Sequence, residues 1–419
     1  MSAPANDLAG PREWLNRARS SLEHARATHP QVEVVLRVTI AGAAAAVVLF
    51  AAGSEEILFR KHTLDGGRNE SCAVADVNGD GRLDVISGEN WFEAPAWKRH
   101  KFRSLPFWNN YIDNFSDHPL DINADGRVDV ISVAWDARRI AWWENPGRAS
   151  GPAEWRLHLI DSGFPVEFSF LVDLDNDGKA LELLPQFGNA KAPLAWYELG
   201  RGAWTKRVVS DRSYGHGIGA GDVNGDRRAD IVTPRGWLEA PADPRQGPWT
   251  FHQEFDLGST GFIHVLDVNQ DGRADLVTGK AHDYGIFWME QRAGEGGVRQ
   301  WTRQVIDEAW SQPHALTLAD LTGDGRPELV TGKRLYAHNG RDPGEREALG
   351  VYWYEYVQNG PRWDWIRHII DYGGSTGGGM QIPVVDIDGD GDLDITVAGK
   401  SGVYLFENLS RGRGSIPAR

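Results

Sequence analysis

Asp76-Val-Asn-Gly-Asp80-Gly81-Arg-Leu-Asp84 is the first of seven related nine-residue stretches, which begin at Asp76, Asp121, Asp173, Asp222, Asp267, Asp320 and Asp386. Their spacing of 45 to 66 residues lies in the range of propeller blades. Oxygen side chains at positions 1, 3, 5 and 9, around a glycine at position 6, are what a hard cation such as Ca²⁺ needs. In the first copy these are Asp76, Asn78, Asp80 and Asp84, and in the second Asp121, Asn123, Asp125 and Asp129. The fifth supplies Asp267, Asn269, Asp271 and Asp275, and the seventh, the most acidic, Asp386, Asp388, Asp390 and Asp394. Three copies depart from the pattern. The third has Asp173, Asp175 and Asp177 but closes one residue late on Glu182. The fourth, with Asp222, Asn224, Asp226 and Asp230, has Arg227 where the turn favours glycine. The sixth uses Asp320, Thr322, Asp324 and Glu328. Turn formation alone accounts for one such cluster. It does not account for seven, each followed by a strand-like run such as Asp-Val-Ile-Ser.

Each repeat also carries an aromatic strand ending in Glu, from Trp91-Phe-Glu93 to Leu405-Phe-Glu407. The first six are followed by an outer segment, with a Trp and a His three residues on at Trp97/His100, Trp155/His158, Trp249/His252 and Trp365/His368 and plainer versions at Trp204 and Trp301. With the strands before and after the acidic loop, this predicts four strands per blade. Residues 57–65, Ile57-Leu-Phe-Arg-Lys-His62-Thr-Leu-Asp65, resemble the outer segment but precede the first loop, and no such segment follows the seventh. The expected fold is therefore an all-β, seven-bladed propeller over 55–409, closed by an N-terminal strand that completes the last blade and leaves no open sheet edge. Many of the 18 tryptophans are accounted for as packing between blades. His62, His100, His158, His252 and His368 share one outer-strand position and read as structural.

The formal net charge is -15. Seven divalent ions would add 14 positive charges and leave about -1, so the acidity reads as metal-site charge, and no nucleic-acid signal is present. Cys72 is the only cysteine, which excludes an intrachain disulfide. Within an N-terminal segment at 1–54, Arg12, Arg17, Arg19, Arg26 and Arg37 precede an uncharged run at 38–52 that ends in small residues. That run is short for a spanning helix and fits a signal peptide or an uncleaved membrane anchor; either places the repeats in an extracytoplasmic space. Residues 410–419 form a basic tail.

The loops and the blade pattern resemble the FG-GAP/VCBS repeats of integrin-α-type propellers. That resemblance implies acidic loops joining the first and second strands on a lower face, and ligands, carbohydrate or protein, meeting an upper face. It leaves function open, because such propellers include adhesion proteins, scaffolds and enzymes.

Carried onto this chain, the upper face is built from the starts of the inner strands and the turns after the second strands. His118, His216, His264 and His314 lie three or six residues before a loop, and Glu70 and Glu167 share the six-residue offset. Glu70, Glu167, His216 and His314 are expected to converge on the central channel. His282 and His338 lie in upper turns, and Arg235, Lys280, Lys333 and Lys400 follow second strands. Residues 333–344, an insertion too long for a plain hairpin, bring Tyr336 and His338 towards the channel, with Tyr284 and Gln381 as further candidate contacts. Imidazoles, carboxylates and ammonium groups in one concavity suit acid–base chemistry. The expected activity is elimination on a carbohydrate, of lyase or dehydratase type, with His216 or His314 as base and Lys280, Lys333 or Arg235 holding an enolate; His264, His118, Glu70 and Glu167 complete the candidate set. The propeller part of aldos-2-ulose dehydratase is similar in architecture, though no motif transfers from it residue by residue. A variant has two or three histidines holding a catalytic metal. The competing expectation is a binding module for a glycan or protein. No nucleophile elbow, P-loop or zinc-protease motif is present.

Overall fold

The computed structural model describes residues 56–147, 154–200 and 203–411. The N-terminal segment with its hydrophobic run, and nearly all of the basic tail, lie outside the described residues. From Ile57 on, the chain forms one compact unit of seven four-stranded antiparallel sheets and one extra two-stranded ribbon. Among the described residues no helix is long and apolar enough to cross a membrane.

The second strands explain why the blades stack. Asp129–Ala134, Glu328–Lys333 and Asp394–Gly399 are buried along their whole length. A strand buried on both faces reads as a near-continuous apolar run, as these β-branched segments do. The third strands fill the space between blades with Trp196, Trp237 and Trp353, each at most 1% exposed. Outside them a repeated clamp sets the fourth strand. The imidazole of His100, His158, His252 or His368 stacks on Trp91, Trp142, Trp237 or Trp353 at 3.8–4.3 Å between ring centres. The same imidazole's Nε2 meets a Glu of the third strand, Glu93, Glu144, Glu239 or Glu355, at 2.6–3.1 Å. The histidines read as structural are thus a packing device.

The ring closes as the sequence predicts. Phe59–Asp65 pairs antiparallel with Gly402–Asn408, the third strand of blade seven, and so becomes that blade's outer strand. Around the channel the inner strands approach closely, because the ring is narrowest there. Ile263 N–H donates to the Ile218 carbonyl at 3.1 Å. A Cβ on Gly219 would lie 1.7 Å from the Ile263 carbonyl oxygen, an overlap only backbone movement could relieve. Gly219→Ala is therefore expected to cost at least about 2 kcal/mol in urea unfolding; a variant as stable as the parent would show that blades four and five can move apart.

Candidate functional site

Four consecutive blades bring a carboxylate and three imidazoles together. Glu167 lies on the inner strand Val166–Val172, His314 on the inner strand Pro313–Ala319, His216 just before the inner strand Gly219–Gly221, and His282 in the turn between Asp275–Gly279 and Tyr284–Ala293. Glu167 Oε2 is 2.6 Å from His216 Nε2, and Oε1 is 3.1 Å from His314 Nε2 and 3.8 Å from His282 Nε2. One ligand-capable atom from each of the four lies within 4.8 Å of all the others.

The far sides of two of these rings decide their tautomers. His216 Nδ1 is 2.5 Å from the Thr260 carbonyl, which can only accept, so Nδ1 carries the hydrogen. His282 Nδ1 likewise donates to Asp342 Oδ2 at 3.2 Å. His282 Nε2 then bears a lone pair, which faces His216 Nε2 at 3.2 Å, while His216 Nε2 shares a proton with Glu167 Oε2 at 2.6 Å. Burial pushes His282 down to about 2 and His314 down to about 4, which keeps them neutral. Burial also opposes charge on His216, but the Glu167 carboxylate outweighs it and raises that imidazole. Glu167 itself is held well below the usual carboxylate range by His216 and His314, against its own burial.

Glu70 stands beyond this group, on the far side of Arg334. The Arg334 guanidinium is 3.2 Å from Glu70 Oε2 and 3.7 Å from Glu167 Oε1, so it separates the two acids that the sequence predicts together. Lys400 Nζ lies 2.6 Å from Glu70 Oε1 and 3.8 Å from the centre of the Tyr111 ring. Burial brings Lys400 down to about 8, against the pull of Glu70. Above the cluster opens a cavity of about 440 Å³, walled by Tyr111, Phe115, Trp135, Arg334, His338 and Arg341, among others. His338 Nδ1 is 2.9 Å from Asp342 Oδ1, so one carboxylate orients two imidazoles.

Several predicted residues lie elsewhere. His118 bonds Ser169 Oγ at 2.8 Å, His264 bonds the Leu316 carbonyl at 2.9 Å, and both line a second cavity, of about 390 Å³, with Gln381. Phe168, in ring contact with His216 and His314, packs on Phe262, which belongs to that second cavity. The reason is the three-residue offset: on an inner strand it moves a side chain about 10 Å along the channel. Gln381 grips the Asp117 backbone from both sides, at 2.7 and 3.1 Å. Lys280 Nζ is tied to the Leu257 carbonyl, and Lys333, fully buried, to the Ser311 hydroxyl and carbonyl; burial lowers both ammonium groups. Neither is placed to hold an enolate at the cluster. Arg235 is exposed on blade four, Tyr284 bonds Glu347, and the Tyr336 carbonyl accepts from the Tyr111 hydroxyl at 3.4 Å. Sequence reasoning overlooked Arg334, Asp342 and the ribbon Phe107–Trp108 with Tyr111–Ile112. The ribbon's signal, Asn109-Asn110 between aromatic residues, was legible as a tight hairpin.

The FG-GAP-like repeat family matches residues 121–184 and 267–331, two spans that each begin at the first carboxylate of an acidic loop. The seven-bladed propeller thus carries FG-GAP-like repeats at these two spans. No curated protein sequence matches it. Among solved structures, the propeller is similar to BBS1N, determined in complex with ARL6DN, at 10% identity over 86% of this chain and 98% of that one, with a TM-score of 0.51. It is also similar to the extracellular domain of a hybrid two-component system of B. thetaiotaomicron, at 13% identity over 83% of this chain and 39% of that one, with a TM-score of 0.46. At these identities the likeness concerns the fold alone.

The seven acidic loops share one geometry. The position-1 carboxylate accepts backbone N–H groups from positions 5 and 6, as Asp76 does from Asp80 at 3.0 Å and Gly81 at 2.8 Å. The position-9 carboxylate is buried and clasps the loop to the end of the third strand: Asp84 accepts from Val77 at 3.1 Å and from Ala94 at 2.9 Å. Burial pushes Asp84, Asp230 and Asp275 up to about 6, with neighbouring loop carboxylates adding to the effect. In the irregular third loop Glu182 takes this role, accepting from Leu174 at 3.0 Å, and Arg227 in the fourth adopts the left-handed conformation with φ of 68°. Arginines following position 6, such as Arg82 and Arg326, pair with the position-5 carboxylate. The loop charge is therefore partly offset within the chain.

Proposed function

We propose that the cavity above the histidine cluster acts on a carbohydrate by elimination, and that His216, His282, His314 and Glu167 hold a divalent transition-metal ion beneath it. The observation that supports this is the convergence of three imidazoles and one carboxylate, one ligand-capable atom from each lying within 4.8 Å of all the others. With the Nδ1 hydrogens of His216 and His282 donated to Thr260 and Asp342, each ring offers its Nε2 to a cation, which would displace the proton that His216 shares with Glu167. Three imidazoles and a carboxylate suit zinc and its neighbours, and Thr260 and Asp342 supply the outer hydrogen bonds such ligands use. When bound, such an ion polarises a carboxylate or carbonyl and acidifies the adjacent C–H. His338 is the group proposed to take that proton, because Asp342 holds its Nδ1 and leaves the Nε2 lone pair at the cavity wall. Arg334 sets a fixed positive charge beside the developing negative one. Asp136, whose carboxyl is raised by partial burial and by Asp113, lines the same cavity and can protonate the departing oxygen as the C–O bond breaks.

His338→Ala is expected to lower kcat about 10²–10⁴-fold with the metal retained, and Glu167→Gln to lose the metal. The measurements are elemental analysis and the growth of enone or enal absorbance on uronate oligosaccharides and keto-sugars. A flat trace with folded, metal-loaded protein would sink elimination and leave a binding module for a glycan or protein.

The seven loops are proposed to take Ca²⁺, in keeping with an extracytoplasmic location suggested by the N-terminal run. Their donors are all oxygen, and Asp173, Asp175 and Glu182, Asp320, Asp324 and Glu328, and Asp386, Asp388 and Asp394 already stand within 4.8 Å of one another. Chelation is expected to lower Tm by roughly 5–10 °C, recovered by added Ca²⁺. A Tm indifferent to both would show that backbone and arginine contacts alone hold the loops.

A further inference from the structure

We propose that Trp135 and Trp108 form a stacking subsite for the rings of an acidic oligosaccharide, a proposal that rests on the reading of the cavity as a carbohydrate site and names its substrate class. Neither residue belongs to the tryptophans buried between blades. Trp108 is 67% exposed, on a ribbon that joins no blade sheet and turns through Asn109 and Asn110, both at positive φ. A two-residue hairpin of this kind is rigid, and a large aromatic exposed at its tip has no folding role that would retain it. The ribbon is also braced against the blade-six insertion, through Asn110 to Asn339 at 3.3 Å.

Trp135 is held from two directions. The Asp113 carboxylate, 1% exposed, accepts the N–H groups of Trp135, Asp136 and Ala137 at 2.8, 3.0 and 2.8 Å, which fixes the turn. Below the ring lies Gly188, where a Cβ would stand 2.1 Å from Trp135 Cζ3. The indole thus occupies space that only glycine leaves, and it remains partly exposed in the cavity wall. Both tryptophans line the same cavity, whose volume suits a small ligand. Along with the two indoles the wall carries hydrogen-bonding side chains, among them Asn109, Asp136 and Asn339, a combination suited to a pyranose with its apolar C–H face and hydroxyl edge. Arg341 lines the same cavity, is exposed, and makes no ion pair among the described residues, which leaves its guanidinium free for a sugar carboxylate.

The test is calorimetric titration of the full chain with tetragalacturonate and with neutral cellotetraose, with metal content measured on the same samples. The parent is expected to bind tetragalacturonate more tightly. Trp135→Ala, Trp108→Ala and Gly188→Ala, the last displacing the ring without removing it, are each expected to weaken binding about tenfold or more at unchanged metal content. Arg341→Gln is expected to erase the preference for the acidic probe. Trp108 is too exposed for its loss to unfold the protein, so parent-like binding by Trp108→Ala and Trp135→Ala overturns the subsite, as does a parent that binds neither probe. A metal-free protein whose binding still depends on Trp135 keeps the subsite and refutes the metal centre; a metal-loaded protein indifferent to both tryptophans does the reverse.

Discussion

Asp117→Ala is expected to lower the free energy of unfolding by about 3–5 kcal/mol. Arg103 and Asp117 are both fully out of contact with solvent, and one guanidinium nitrogen meets both carboxylate oxygens, at 2.8 and 3.0 Å. Around them Arg103 Nε donates to the Gly88 carbonyl at 2.6 Å, and Asn114 and Ser132 donate to the same carboxylate. The Phe102 ring lies 4.7 Å from the guanidinium carbon. Removing the carboxylate leaves a buried cation with no counter-charge, and that penalty exceeds what the ion pair contributes. For this reason the double replacement Arg103→Met with Asp117→Leu is expected to be far milder than either single change. Urea unfolding of the four proteins measures the coupling; an Asp117→Ala protein within about 1 kcal/mol of the parent would mean that water reaches Arg103 after the change.

The second large effect belongs to the closing strand. A chain beginning after Asp65 is expected to lose its cooperative thermal transition and to self-associate, whereas one beginning at Ile57 keeps the parent's melting behaviour. Phe59–Asp65 supplies the outer partner of Gly402–Asn408 and ties it by side chains as well: His62 and Arg60 each reach Glu407 at 2.6 Å. Without it the last blade presents an unpaired edge and the ring is held at that blade by three strands only, a template for pairing with another molecule. Calorimetry with size-exclusion chromatography distinguishes the outcomes. A monomeric, cooperatively melting shorter chain would show that packing between blades one and seven suffices.

These effects bear on how much of the molecule could be read in advance. The closing strand was legible because its outer-segment pattern, with His62 at the repeated position, recurs around the ring, and a pattern displaced to the front of the chain has one place to go. Convergence of Glu167, His216 and His314 was legible for a similar reason, since they share one offset from their loops. Asp117 and Arg103 were not: nothing local marks a buried ion pair, and its partners come from neighbouring blades. The indole of Trp135 was equally silent, because its position depends on Gly188, a residue of the next blade.

What the sequence by itself determined is whatever repeats: seven acidic turns, four strands per blade, closure by residues 57–65, and the outer Trp–His–Glu clamp. Apart from the closure, which joins 59–65 to 402–408, these belong to local antiparallel meanders whose pairing follows from short connections and side-chain alternation. What only the tertiary structure decided is which non-repeating side chains meet. Glu167 and His314 are 147 residues apart, and His118 and His216 share an inner-strand setting, yet the first lines the second cavity and the second meets Glu167. Lys333 and Arg334 are neighbours, but the first is buried against Ser311 and the second reaches the channel between Glu70 and Glu167. Successive residues of an extended chain point to opposite sides, so a shift of one position moves a charge from the packing between blades into the site.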